Sequence, residues 1–348
     1  MRATQVVIPV SDSSHVGEVR RRINQLAGDA HLSPSDSGNA AIVATELATN
    51  LARYATGGEM IVGCMTADDD SPGWVEMLSV DRGPGIPDVA RCLEDGHSTG
   101  GGRGEGLGAM RRLSTEWDVF SLPSSESEVG GSILFSRVTH KSKPLPKTAF
   151  TWGAVSRPAP HEVRCGDGWR IAERPGELTL MMVDGLGHGE GAAAAADEAG
   201  DVFDADPFAP LPTMLQNAGI RLQKTRGGAM AVVRVDGRSR VAKFVGVGNI
   251  AAHLRARGDE GGRGLVSHNG IVGGEVRKIQ EFSYDCPEDG LLVMHSDGLQ
   301  GRWSFKPYAG LVARHPAVIA GILYRDFTRG RDDVTVAVVR LSLAGMSA

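Results

Sequence analysis

The stretch Asp81-Arg-Gly-Pro-Gly-Ile-Pro-Asp88, "DRGPGIPD", follows the apolar run "WVEMLSV" (74–80) and precedes a second glycine cluster, "GGGRGEGLG" (100–108). An acidic side chain at a strand end, followed by so much bare backbone, suits a ligand that must approach the main chain closely. Working outward, "ATELATNLARYA" (44–55) sets Glu46 and Asn50 four residues apart on a helix, where both project from one face. Downstream, Gly104, Gly106 and Gly108 open an expected helix, "LGAMRRLSTEW" (107–117). Glycine-rich backbone running into a helix amino terminus suits phosphate, because unpaired N–H groups and the helix dipole both favour an anion. Asp81 can accept a hydrogen bond from an exocyclic amine such as that of adenine. Asn50 supplies an oxygen for a magnesium ion that bridges phosphates. Together these parts describe a nucleotide site; alone, "RGPGIP" reads equally well as a tight turn.

The 348 residues exceed one ordinary core, so two domains are expected. Lys and Arg total 37 against 42 Asp and Glu, a formal charge of −5, with no basic run that would track nucleic acid or an anionic membrane. The amino terminus has no signal-peptide pattern, and no window approaches the roughly 20 apolar residues needed to span a bilayer. A cytoplasmic protein is expected. The four cysteines lie far apart without a CxxC pair, which argues against zinc sites and disulfides and leaves buried thiols.

Residues 1–138 read as strand, two helices, two strands, a helix and a closing strand, layered as helices on one face of an antiparallel sheet. The basic, proline-bearing "THKSKPLPKTAF" then marks a linker, 139–149. Residues 150–342 offer short apolar strand-like runs, several ending in aspartate, with helices at 191–203 and 211–223; residues 343–348 form a tail. Asp167, Asp184, Asp297 and Asp332 each adjoin such a run, so their carboxylates are expected at strand ends. Four carboxylates cannot crowd together bare, since like charges oppose ionisation, and hard divalent cations with all-oxygen ligation resolve the conflict. Three of the four precede glycine, so each taken singly is also a turn former.

The ordered boxes ExxxN, DxGxG and GxGxG resemble the GHKL ATP-binding (Bergerat) fold of gyrase, histidine kinases and anti-sigma-factor kinases. The longer string from Asp81 to Leu113 is similar to the RsbT-type switch serine kinases. This implies an α/β sandwich over 1–138, in which Glu46 is the base that deprotonates a substrate serine or threonine and Asn50 holds Mg2+. Asp81 would read the adenine amine and Gly83 and Gly85 admit the base. Gly104, Gly106, Leu107 and Gly108 would cover the phosphates, and Ser132 stands where the family has a threonine near adenine.

In the second half, "CGD", "VDGLGHG", "GGAMAVVRVD", "VGVGN", "NGIVGG", "SDGL" and "RDDVT" resemble the PPM (type 2C) serine/threonine phosphatases of the SpoIIE and RsbX branch. The resemblance implies an αββα β-sandwich flanked by helices and a pair of Mn2+ or Mg2+ ions. Asp184 would bridge the metals with help from the Gly185 carbonyl, and Asp167, Asp297 and Asp332 would complete the shell. Asp333 competes for the last position, but the family pattern puts the ligand first. His188 is either a general acid or a loop histidine bonded to backbone. Arg157 and Arg164 are the candidates for binding phosphate. The combined expectation is a bifunctional kinase and phosphatase of a partner-switching or stressosome pathway, acting on STAS-domain proteins, with no nucleic-acid or membrane partner and with a homodimer as a candidate state. Its rival is a phosphatase regulated by a non-catalytic ATP-binding and docking module.

Overall fold

The computed structural model describes residues 2–66, 73–93, 106–125, 129–142, 148–259, 261–276 and 278–343. Gly104, part of the linker 139–149 and the tail after residue 343 lie outside the described residues. In chain order the elements are β1 (Arg2–Val10), α1 (Ser14–Asp29), α2 (Pro34–Tyr54), β2 (Gly58–Thr66), β3 (Trp74–Val80), α3 (Val89–Cys92), α4 (Gly106–Leu113), β4 (Glu116–Leu122) and β5 (Gly131–Thr139). There follow β6 (Phe150–Arg157), β7 (Asp167–Arg174), β8 (Glu177–Gly185), α5 (Glu190–Ala205), α6 (Leu211–Leu222), β9 (Gly228–Asp236), β10 (Val241–Val247) and β11 (Ala251–Ala256). The last are β12 (Arg263–Gly264), β13 (Phe282–Asp285), β14 (Asp289–His295), α7 (Pro316–Phe327) and β15 (Val334–Ser342).

The described residues fall into two compact units, one drawn from Arg2–Pro146 with Phe305–Arg325, the other from Lys147–Ser304 with Asp326–Ala348. In the first, five antiparallel strands run in the order β1-β2-β3-β5-β4. Ser33 starts α2 by accepting a hydrogen bond from Asp36 N at 3.1 Å, and Pro34 occupies the first turn, where a missing N–H costs nothing. The apolar face of α2 (Val43, Ala44, Leu47, Leu51) packs with Val19, Ile23 and Leu26 of α1 against Met60, Val62, Met77 and Leu134 of the sheet. That burial leaves Glu46 and Asn50 partly exposed on the neighbouring face.

Two sequence expectations are corrected here. The helix begun at residue 106 ends at Leu113 instead of running through Trp117, and Glu116–Leu122 is the edge strand β4. Ser114 ends the helix by donating its hydroxyl to Met110 O at 2.6 Å, a local bond that competes with helix continuation. Nor do the helices cover only one face of the sheet. β3 and β5 are buried along their whole lengths, because residues 305–325, from far along the chain, lie on the second face. There His315 stacks on Phe135 at 4.2 Å and its N–H donates to Asp118 at 2.6 Å, while Tyr324 donates to Glu59 at 2.6 Å. Gly321 of α7 sits so close that a Cβ would stand 2.9 Å from Leu78 and 3.1 Å from Ile133.

The second unit holds two five-stranded antiparallel sheets, β13-β10-β9-β8-β7 and β12-β11-β14-β15-β6. They meet face to face at Trp152 of β6 and Trp169 of β7, whose rings are edge to face at 5.7 Å. On the outside of the first sheet, Ala195, Ala199 and Phe203 of α5 and Met214, Leu215 and Leu222 of α6 pack on Met181, Val183, Met230 and Val232. The alanine run of α5 is both good helix-forming sequence and a way to bring the helix backbone close to the sheet. A Cβ at Gly168 would lie only 3.1 Å from Ala196. The fold class expected from sequence is thus borne out. No helix among the described residues is long and apolar enough to cross a membrane.

Candidate functional sites

In the first unit Asp81 is buried at the end of β3, where both carboxylate oxygens are fixed. Gly83 N donates to Oδ1 at 2.6 Å, and the Ser132 hydroxyl donates to Oδ2. Ser132 and Asp81 are also joined by a backbone bond from Asp81 N to Ser132 O at 3.1 Å. The aspartate expected to read a base is therefore held in one orientation by the residue expected beside it. Gly83 and Gly85 are required by the protein itself. A Cβ at Gly83 would lie 2.8 Å from Tyr54 O, and Gly85 has φ +74° with Leu122 O pressed against it. Across the site, Gly106 opens α4 against Glu46, whose Oε2 would stand 2.8 Å from a Cβ there. Glu46 is thus brought to the first turn of α4, with Leu107 and Gly108 following and Asn50 one turn further along α2. Arg325 of α7 donates to Asp81 O at 2.9 Å, a contact that sequence reading gave no means of seeing.

In the second unit the antiparallel register sets Asp167 of β7 directly opposite Asp184 of β8. Asp167 Oδ2 accepts from the Ser296 hydroxyl at 2.6 Å, and Ser296 in turn accepts from Thr335 N at 3.0 Å, tying β7 to the ends of β14 and β15. Asp297 Oδ2 accepts from Asn249 Nδ2 at 2.8 Å. Burial, reinforced by the charges of Asp184 and Asp333, pushes the Asp167 carboxyl well above the usual carboxylate range. Burial, with the charges of Asp297, Asp332 and Asp333, pushes Asp184 up to about 7. All the expected acids therefore share one electrostatic neighbourhood. No three carboxylate, imidazole or thiolate groups among the described residues converge as a finished cation cage.

A divalent cation fits what is present. Among the described residues, Asp167 Oδ1 and Asp333 Oδ2 are buried without a hydrogen-bond partner, and the mutual repulsion of the acids is what a cation relieves. One oxygen of Asp333, Oδ1, accepts from Ala159 N at 2.8 Å, whereas Asp332 is exposed and accepts from Asp333 N at 2.9 Å. Gly185 lies against Ala192 of α5, with its own N–H donating to Gly166 O at 3.1 Å. His188 Nδ1 is 2.6 Å from Glu162 Oε1, a carboxylate partner instead of the backbone contact weighed from sequence. Glu162 follows His161, which has φ +72°. Arg164 is engaged by Glu190, at 2.6 Å, and by Asp197. Sequence reading passed over Asn249, Ser296 and Glu162. The first two lie within the motifs "VGVGN" (245–249) and "SDGL" (296–299), whereas nothing in the sequence pointed to Glu162.

Residues 10–129 match the family model of the histidine kinase-like ATPase domain. Over 85 residues the chain is 36% identical to the serine/threonine-protein kinase RsbT of Bacillus subtilis (strain 168), a match spanning 24% of this chain and 62% of that protein. The chain therefore covers less than two thirds of the length of this curated relative. A solved structure described as "The bacterial stressosome: a modular system that has been adapted to control secondary messenger signaling" is similar at 28% identity and a TM-score of 0.51, over 55% of this chain and 99% of its own. A structure of RsbX in complex with magnesium aligns at 18% identity and a TM-score of 0.47, over 56% of this chain and 96% of its own. The amino-terminal resemblance read from the ExxxN, DxGxG and GxGxG boxes is borne out by the family match, and the chain carries a histidine kinase-like ATPase domain there.

Proposed function

We propose that the chain is a two-domain signalling enzyme that writes and erases one mark, phosphate on serine or threonine of a partner protein. The observation that carries the reading is the presence of two sets of residues: a buried, fully hydrogen-bonded Asp81 with Glu46 set against a glycine-opened helix, and strand-end aspartates sharing one field around orphaned carboxylate oxygens.

In the first site ATP would bind with its adenine on Asp81 and its phosphates near Gly106, Leu107 and Gly108, with Mg2+ on Asn50. Glu46, which lies against the first turn of α4, would take the hydroxyl proton of an incoming serine or threonine. In the second, Asp184 and Gly185, with Asp167, Asp297 and Asp332, would hold two Mn2+ or Mg2+ ions. Such ions supply an activated water and neutralise developing charge in phosphoester hydrolysis. The protein's own contribution is to fix the carboxylates through Ser296 and Asn249 and to hold the His188 imidazole on Glu162, where its far nitrogen can serve the leaving oxygen. The likeness to RsbT and to a stressosome structure supports STAS-domain proteins of a partner-switching assembly as substrates, in a cytoplasmic setting and with a homodimer as the assembly to examine.

The test is label transfer from γ-labelled ATP to a STAS-domain protein by the Asp184→Ala variant, in which erasure is blocked. Label on serine or threonine that is lost with Glu46→Gln supports the reading; no label with any cognate partner opposes it. A second reading, an ATP-sensing module that regulates the phosphatase without transfer, draws support from Arg325. This residue contacts Asp81 O yet lies in sequence between Asp297 and Asp332.

A further inference from the structure

We propose that Arg226 is the cation that receives the substrate's phosphate at the carboxylate site of the second unit, an assignment that rests on the phosphatase reading. Of the two arginines singled out from sequence, Arg164 is already held by Glu190 and Asp197. Arg226, just before β9, is exposed and stands over the loop that follows Asp184.

The register explains its position. Gly228 pairs with Gly185 and Ala229 with Asp184, and Leu186 N donates to Gly227 O at 2.9 Å, so Arg226 leaves the sheet beside the Asp184–Gly189 turn. Its guanidinium lies along that turn and the start of α5. A Cβ at Gly187 would be 3.2 Å from Nη1, and a Cβ at Gly191 would be 2.6 Å from Nε. The glycines of "DGLGHGEG" therefore let a planar guanidinium lie flat on the loop. Its hydrogen bond to the protein is a long one, 3.5 Å, to His188 O, and it makes no ion pair among the described residues.

Among the described residues this accessible guanidinium, one loop away from the aspartates, has no carboxylate partner, which leaves its donors available to an incoming anion. Its donors are instead directed at the loop and at solvent. A phosphomonoester dianion approaching this acidic end meets repulsion that metal ions offset only in part. A guanidinium offers it two parallel donors in a fixed plane. The carbonyl of His188 anchors one edge of the guanidinium, and the His188–Glu162 pair lies next to it, so phosphate recognition and the leaving-group side share one loop.

The experiment uses the full chain loaded with Mn2+. Steady-state hydrolysis of p-nitrophenyl phosphate and of a phosphoserine peptide is compared for the wild type, Arg226→Ala and Arg226→Lys, alongside calorimetric titration with inorganic phosphate. Arg226→Ala is expected to raise KM and weaken phosphate binding by about 10- to 100-fold, the loss of a hydrogen-bonded charge, with Arg226→Lys intermediate. The thermal midpoint stays within a degree or two, as for other exposed side chains. An active wild type whose Arg226→Ala variant keeps its KM and phosphate affinity overturns this assignment alone. A wild type that neither hydrolyses these esters nor binds phosphate overturns the phosphatase reading and this assignment with it.

Discussion

Asp167 and Asp184 are register partners at one end of the β7–β8 pair, each raised above the usual carboxylate range by burial first and by like charge second. Adjacent strands force the two acids together, and the fold pays for that juxtaposition unless a proton or a cation intervenes.

The first prediction concerns pH and metal. Folded protein holds the Asp184 proton up to about 7, while the unfolded chain releases it near the ordinary 3.8. The stability tied to that proton is present below the unfolded value and lost as pH rises through about 7. The metal-free thermal midpoint should therefore fall between about pH 5 and about pH 8, and added Mn2+ should raise it more at the higher pH, where no proton competes. A metal-induced gain that is the same at both pH values would count against a shared cation site.

Nucleotide binding should depend on how Asp81 is held. Asp81→Asn inverts half of its hydrogen-bonding capacity and should weaken ATP binding at least about tenfold, whereas Ser132→Ala, which removes one bond, should weaken it about fivefold. Fluorescent-nucleotide titration checks both. Equal binding by Asp81→Asn would place the base elsewhere.

The second face of the first sheet gives a stability prediction. Gly321→Leu overpacks α7 against Leu78 and Ile133 and should cost about 1–3 kcal/mol in denaturant unfolding. Arg137→Ala removes the cation 2.7 Å from the buried Glu76 and leaves it the Trp74 indole N–H at 2.8 Å, and should cost about 3–5 kcal/mol. Near-zero effects from both would mean that this face is not a packed interior.

Much of this was legible in the sequence because local patterns carried it: the Ser33–Pro34 start of α2, the alanine run of α5, and the strand-end aspartates. The double-sided burial of β3 and β5 had a local trace as well, since "WVEMLSV" and "GSILFSRVT" do not alternate cleanly between apolar and polar. What covers them did not, because residues 305–325 arrive from beyond β14 and only tertiary contact reveals them. β4 was missed because Glu116–Leu122 follows a helical run without glycine or proline to separate the two. The pairings of Asn249 with Asp297, Ser296 with Asp167 and Glu162 with His188 were illegible for a similar reason: a hydrogen bond across 48, 129 or 26 positions leaves no periodicity.

The most direct test of the central claim is phosphate release from a serine-phosphorylated STAS-domain partner by the metal-loaded full chain, measured for the wild type, Asp184→Asn and Glu46→Gln. The account predicts release by the wild type and Glu46→Gln and at least about a hundredfold loss in Asp184→Asn, the scale expected for losing the proposed metal ligand. Undiminished release by Asp184→Asn would contradict it.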